Sequence, residues 1–131
     1  MILKNYCIAF NSYNQAQEIL NICKEKKIIP ILFVKYYLIN GLGIDWLIIL
    51  KEMLEKDFGS KSFKIYVDVK KNYGLFISLV EKKINLIKVE ADKEMLKKLH
   101  QIAELNKVLI NPKISIVKLS KLKKNKVNNI L

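Results

Sequence analysis

The chain has 131 residues, a formal net charge of +12 and 51% hydrophobic residues. This length suits one domain that buries a core without disulfides or metal ions, and the composition excludes an intrinsically disordered chain. All 24 basic residues are lysine, so no guanidinium group is present to bind phosphates or carboxylates in a bidentate manner. Because Lys, Ile and Asn all have A/T-rich codons, the charge is only weak support for a polyanionic partner.

Apolar runs alternate with amphipathic stretches along the whole chain. Ser12 and Gln15 have the spacing of a capping box before the first helix, and Asp92 is the predicted N-cap of the last one. In chain order we predict a strand at 6–10, a helix after Ser12, a strand at 28–37, a turn at 41–43, a helix at 44–58 closed by Gly59, a strand at 63–69, a helix at 73–83, a strand at 85–90, a helix at 93–106 and strands at 108–110 and 114–119.

Strand and helix alternate about four times, and the strands are continuous apolar runs, which is typical of a parallel sheet. We predict an α/β fold of three layers, with a mostly parallel five-stranded sheet and helices on both faces, as in flavodoxin-like and Rossmann-like proteins. A half-barrel is the alternative, since a complete barrel needs about 250 residues. Residues 1–112 are predicted to form one α/β domain, and residues 113–131 a possible edge strand and a lysine-rich tail.

Residues 28–50 have the length of a membrane span, but Lys35 and Asp45 stand within them. Each such charge costs roughly 2.5–3.5 kcal/mol on insertion, so we predict no span. The N-terminus lacks a signal-peptide pattern, and Cys7 and Cys23 lie in apolar contexts where reduced core thiols are expected. These features predict a cytoplasmic protein with no metal and no cofactor.

Ligands of parallel α/β sheets bind beyond the carboxyl ends of the strands, so the residues that follow each apolar run are the site candidates. Gly41 and Gly43 could offer backbone N–H groups to an anion, although a tight turn is the favoured interpretation. Asp45 is more simply explained as a cap or helix-dipole partner. The ligand-binding candidates are Gly41, Gly43, Asp45, Trp46, Asp68, Lys70, Asn72, Gly74, Glu90 and Asn111.

Asp68 is the strongest single candidate, because it ends a buried strand two residues before Lys70, where general bases are found. An equally natural interpretation is that its carboxylate accepts backbone N–H groups of the following turn. His100, the one histidine, has no catalytic partner at a recognisable spacing. We therefore predict no catalytic residue, with Asp68 as the weak exception.

Five consecutive apolar residues, Trp46 to Leu50, lie in the predicted second helix. They cover its whole circumference, which is unexpected for a helix with one solvated face. A homo-oligomer contact is the preferred explanation, and complete burial within the protomer is the alternative. The predicted contact residues are Trp46, Leu47, Ile49 and Leu50.

Residues 41–50 and 64–89, with the helix after Asp92, resemble a family of short alphaproteobacterial proteins of unknown function. In that family a Gly-x-x-x-Trp-Phe segment begins the second helix, and an Asp-Cys-Gly-Asp-x-x-Gly segment follows the third strand. The resemblance implies a site in the same region but no activity, and the family Cys-Gly-Asp is replaced here by residues 69–71. The matching positions are Gly41 or Gly43, Trp46, Asp68 and Gly74.

Three functions from different classes follow. The favoured one is a non-catalytic ligand-binding or partner-binding module that self-associates. The second is a small enzyme, with Asp68 as acid or base and Lys70 as electrophile. The third is a nucleic-acid accessory protein acting through the C-terminal tail, since seven lysines and no acidic residue occur from position 105 onward. The tail lacks aromatic residues for base stacking, which favours a solvated terminus.

Overall fold

A computed structural model describes residues 6–123. The strands are β1 (Cys7–Ala9), β2 (Ile31–Val34), β3 (Lys64–Lys70), β4 (Leu86–Val89), β5 (Leu109–Ile110) and β6 (Ile116–Lys118). The helices are α1 (Tyr13–Glu25), α2 (Tyr36–Leu42), α3 (Ile44–Phe58), α4 (Tyr73–Glu81) and α5 (Lys93–Leu105). Residues 124–131 of the predicted lysine-rich tail lie outside the described residues.

The six strands form one sheet in the order β5-β4-β3-β2-β1-β6, and every neighbouring pair is parallel. The predicted α/β class with a parallel sheet is therefore confirmed, with six strands where five were predicted. The sixth strand, β6, lies within the segment predicted as an edge strand and pairs with β1.

The two faces of the sheet have different neighbours. Residues such as Ile8, Leu32 and Ile65 share one large core with buried residues of helices α1 to α5, whereas the alternate residues form a smaller cluster without members from these helices. Right-handed crossovers along a sequential order β1 to β5 place every helix on the same side of the sheet. Helices α1 to α5 thus cover one face of the sheet, as in the half-barrel alternative. The preferred prediction had helices on both faces.

The helix-free face is concave, because the link from β5 to β6 is short. Six Cα steps join Ile110 to Ile116 and can span at most about 22 Å. In a flat sheet these two edge strands would lie five strand spacings apart, about 24 Å. The link would also have to run back along the strands, because β6 is parallel to β1 and begins at the opposite end of the sheet from the end of β5. The sheet must therefore curve, and Ile114 of the link packs against the small apolar cluster on the concave face.

The second predicted strand is wrong in its extent, and so is the turn after it. β2 covers only Ile31–Val34, and Lys35 ends it as the extended N-cap of α2, which places Gly41 inside a helix. An apolar run does not by itself separate a strand from a buried helix. Leu38 and Ile39 are buried in the main core, so tertiary packing selects the helix.

A pair of glycine substitutions tests this assignment. Gly41→Ala is expected to raise the free energy of unfolding by about 0.5–1 kcal/mol, because alanine favours a helix and its Cβ would meet open space. Gly43, between α2 and α3, has φ +89°, so Gly43→Ala should lower it by about 1–2 kcal/mol. Urea denaturation measures both values. If Gly41→Ala lowered the free energy of unfolding, the helical assignment of Gly41 would be contradicted and the predicted turn favoured.

Elements of the same protomer cover part of the apolar segment at the start of α3. Leu47 and Leu50 are 0% and 3% exposed and belong to the main core, where α1 and α2 contact α3. Trp46 is half-buried and packs against the same core. Leu47 and Leu50 are therefore buried within the protomer, whereas Ile49 is 57% exposed. Self-association through α3 stays a prediction.

Candidate functional site

Four polar side chains lie at one level where β1 to β4 end on the concave side. Asp68 and Lys88 are register partners in β3 and β4. The β2–β3 register ends at the pair Val34–Val67, so Lys35 and Asp68 are the next residues of the two chains at this edge. The β1–β2 register ends at the pair Ala9–Phe33, and Asn11 and Lys35 each follow it by two residues. Because alternate residues of a strand share a face, this row continues the face that carries the small apolar cluster. We call these four residues the carboxyl-edge row.

Asp68 is the one buried charged or polar residue within residues 6–123, with 7% of its surface exposed. Its Oδ1 accepts the backbone N–H of Lys70 at 3.0 Å, and its Oδ2 lies 3.6 Å from the Lys70 Nζ. Lys70 has φ +50°, so this hydrogen bond holds the chain in a turn that L residues rarely adopt. The predicted hydrogen bond from the following turn to the Asp68 carboxylate is therefore present.

Lysines give the carboxyl-edge row a net positive charge. Lys35 and Lys88 flank Asp68, and the Lys70 side chain is 54% exposed beside it. The Lys35 Nζ lies 5.9 Å from the centre of the Tyr37 ring, and the Tyr37 hydroxyl donates to the Asn11 Oδ1 at 2.8 Å. Lys70 is thus the lysine whose ammonium group contacts the Asp68 carboxylate, and the Lys35 ammonium group lies at the Tyr37 ring.

An apolar cluster lies beneath the row. The rings of Phe33 and Tyr66 meet edge to face with their centres 5.1 Å apart. Burial raises the pKa of Tyr66 to about 12, with smaller contributions from Cys7 and Asp68, and burial raises the pKa of Cys7 to about 12. Both groups are therefore neutral near pH 7, so the cluster supplies neither a thiolate nor a phenolate. Cys7 and Cys23 are free, buried thiols, as predicted.

The segment from Gly41 to Trp46 does not join the row. The Gly43 N–H donates to the Ile39 carbonyl at 2.8 Å, so this amide is already used and is not directed at an anion. Asp45 is exposed in the first turn of α3, where a carboxylate favours the helix dipole. Across residues 6–123, no side-chain hydrogen bond or ion pair links this segment to Asp68.

The candidates after β3 and β4 are occupied mainly by structural roles. Asn72 is the N-cap of α4 and accepts a backbone N–H at 3.0 Å, and Gly74 lies in the first turn of that helix. The Glu90 N–H donates to the Lys70 carbonyl, and the Glu90 carbonyl accepts from the Tyr73 hydroxyl. Both contacts of Glu90 are backbone contacts, and its side chain is exposed.

Asn111 completes the sheet beyond β5. Its Oδ1 accepts the Val89 N–H at 2.8 Å, and its Nδ2 donates to the Val89 carbonyl at 3.0 Å. A side-chain amide thus replaces the backbone of a neighbouring strand. Asn111 therefore satisfies β4 and does not project into a ligand site.

Sequence reasoning missed Lys35 and Lys88, which lie within predicted strands. Alternation along residues 85–90 places Lys88 on the face opposite Ile87 and Val89, and this signal could have identified it as solvent-facing. That it stands beside Asp68 depends on the pairing of β3 with β4. The sequence pattern does not contain that register.

Other features of the described chain lie away from the row. A cavity of about 380 Å³ borders β5 and is lined in part by His100 and Glu104, and another of about 290 Å³ lies between α1 and Phe58. In the described part of the chain, His, Cys, Asp and Glu form no group of three that could hold a metal ion. No helix among these residues is long and apolar enough to cross a membrane.

The fold and the site define a small parallel α/β protein with a concave, lysine-rich carboxyl edge. No protein-family model matches the chain, and no curated protein matches it. The resemblance to short alphaproteobacterial proteins of unknown function therefore stays a prediction.

Proposed function

We propose that this protein is a non-catalytic module that binds a small anionic ligand at the carboxyl-edge row. The supporting observation is the position of Asp68 at one level between Lys35 and Lys88, with the Lys70 Nζ 3.6 Å from its carboxylate. Lysine binds phosphate and carboxylate groups as a point charge, and a concave basic surface concentrates anions. The Gly43 amide already donates to the Ile39 carbonyl, so we propose Lys35, Lys70 and Lys88 as the anion ligands.

Two features favour binding over catalysis. One oxygen of Asp68 is held by the Lys70 amide, which stabilises the carboxylate as a structural acceptor. Burial keeps Cys7 a thiol, with its pKa near 12, so Cys7 supplies no thiolate nucleophile. We also propose a cytoplasmic location, which two free thiols support.

Lys88→Gln tests the anion site. Isothermal titration with inorganic phosphate and with citrate, at low ionic strength, is expected to show about tenfold weaker binding for this variant, because one charged ligand is lost. Lys64→Gln is the matched control, since Lys64 is exposed at the other end of β3, beside Ile31. It should bind like the wild type. Equal weakening by both variants, or a wild type that binds neither anion, would contradict the proposal.

Self-association through α3 is a second proposal, supported by an exposed apolar pair. Ile49 and Met53 are 57% and 44% exposed and lie one helical turn apart on the solvent side of α3. Their partner would be the same face of a second copy, which is the usual symmetry of a dimer. Trp46, which is half-buried beside them, contributes less surface.

Ile49→Lys is expected to reduce the mass in solution from dimer to monomer, because it places a charge in the apolar contact. Light scattering after size-exclusion chromatography measures the mass. Leu105→Lys is the matched control: Leu105 is 86% exposed at the end of α5, so its substitution should leave the mass unchanged. A wild type that is monomeric at high concentration would rule out this contact.

A further inference from the structure

An exposed aromatic ring borders the carboxyl-edge row. Tyr37, in the first turn of α2, is 60% exposed, whereas the rings of Phe33 and Tyr66 beneath the row are buried. An aromatic ring with a polar hydroxyl can present an apolar face to a ligand while its hydroxyl stays hydrogen-bonded. Tyr37 therefore offers an accessible ring face beside the row.

Two contacts hold the Tyr37 ring in place. Its hydroxyl donates to the Asn11 Oδ1 at 2.8 Å, and the Lys35 Nζ lies over the ring, 5.9 Å from its centre. Both partners belong to the carboxyl-edge row. A ring fixed at its tip and contacted on one face loses little side-chain entropy when something packs against its other face.

Lys35 links the ring to the anion site. Its backbone lies beside Asp68 in the row, while its ammonium group reaches the Tyr37 ring. An anion drawn to Lys35 would therefore lie within reach of the ring.

We propose that the anionic ligand also carries a planar aromatic ring, which stacks on Tyr37 while its anionic group binds at Lys35 and Lys88. A nucleoside monophosphate has this chemistry. The inference rests on the proposed anion site and adds the stacking surface, since base stacking on aromatic side chains is sequence-tolerant and needs only an accessible ring face.

The test compares two probes that share a phosphate and differ in the ring. Isothermal titration of the full chain is expected to show AMP binding about tenfold more tightly than ribose 5-phosphate. Tyr37→Leu should abolish this difference by weakening AMP alone. Tyr37→Phe, which keeps the ring but loses the hydrogen bond to Asn11, should retain most of the preference.

The possible outcomes separate this inference from the anion site. Equal affinity for AMP and ribose 5-phosphate in the wild type overturns the stacking role and leaves the anion site standing, whereas binding of neither probe overturns both. If Tyr37→Leu weakens both probes equally, the ring serves only to order α2, and the inference is overturned. A ten-residue oligoadenylate is the third probe. Binding of AMP shows that a free nucleotide is sufficient. If only the oligonucleotide binds, and Tyr37→Leu weakens that binding, the inference of a mononucleotide ligand is overturned and the ring is assigned to single-stranded nucleic acid.

Discussion

Leu47→Ala is expected to lower the free energy of unfolding by about 2–5 kcal/mol, a large fraction of the 5–15 kcal/mol typical of a domain. Leu47 is fully buried in the main core, and removing its side chain leaves a cavity between α3 and its neighbours. Urea denaturation followed by the fluorescence of Trp46 measures the change. This is the largest effect that we expect of any single substitution considered.

Leu105→Ala is the control for Leu47→Ala, because the same atoms are removed from a helical leucine that is 86% exposed. Its effect should stay within about 0.5 kcal/mol. The two variants should keep their difference at every protein concentration. If the effect of Leu47→Ala disappeared on dilution, Leu47 would be a subunit contact after all.

Asn111→Ala is expected to lower the free energy of unfolding by about 2–3 kcal/mol. Two hydrogen bonds to Val89 are lost, each contributing about 0.5–1.5 kcal/mol, and alanine is less tolerant than asparagine of the left-handed backbone at φ +49°. Denaturation measures the total effect. Faster hydrogen exchange at the Val89 amide would locate it in β4.

Two further variants separate the amide pairing from a general effect of asparagine removal. Asn40→Ala removes an exposed side chain whose contact with the Tyr36 hydroxyl is long, at 3.4 Å, and should change stability by less than about 0.5 kcal/mol. Asn111→Asp keeps the acceptor for the Val89 N–H but turns an oxygen toward the Val89 carbonyl, so it should not restore stability. If the Asn111→Ala protein were as stable as the wild type but no longer bound an anion, the structural role of Asn111 would be contradicted and a role in ligand binding favoured.

Local interactions explain which elements were predictable. Ser12 and Asp92 cap α1 and α5 by accepting backbone N–H groups three residues ahead, and Gly59 ends α3 at φ +97°. In each case the residue that marks the boundary also makes the contact. Such signals are short in sequence and need no tertiary context.

The errors occur where neighbours distant in sequence decide the outcome. Residues 36 and 37 were predicted to end the second strand, and residues 41–43 to form a turn. Residues 36–42 instead form α2, because Leu38 and Ile39 pack into the main core. Leu47 and Leu50 were expected at a subunit contact, and the protomer's own helices bury them instead. In both cases hydrophobicity predicts that the residues are buried, but it does not predict which other element or subunit buries them.

By itself, the sequence determined an α/β class with parallel strands, the helix caps, and a chemistry of lysine point charges without arginine. The tertiary structure decided that helices α1 to α5 cover one face, and that Asp68 stands between Lys35 and Lys88 with Tyr37 nearby. Periodicity follows from local backbone geometry and can be deduced from one segment. Strand register depends on packing between segments distant in sequence, so the site became visible only when the strands were aligned.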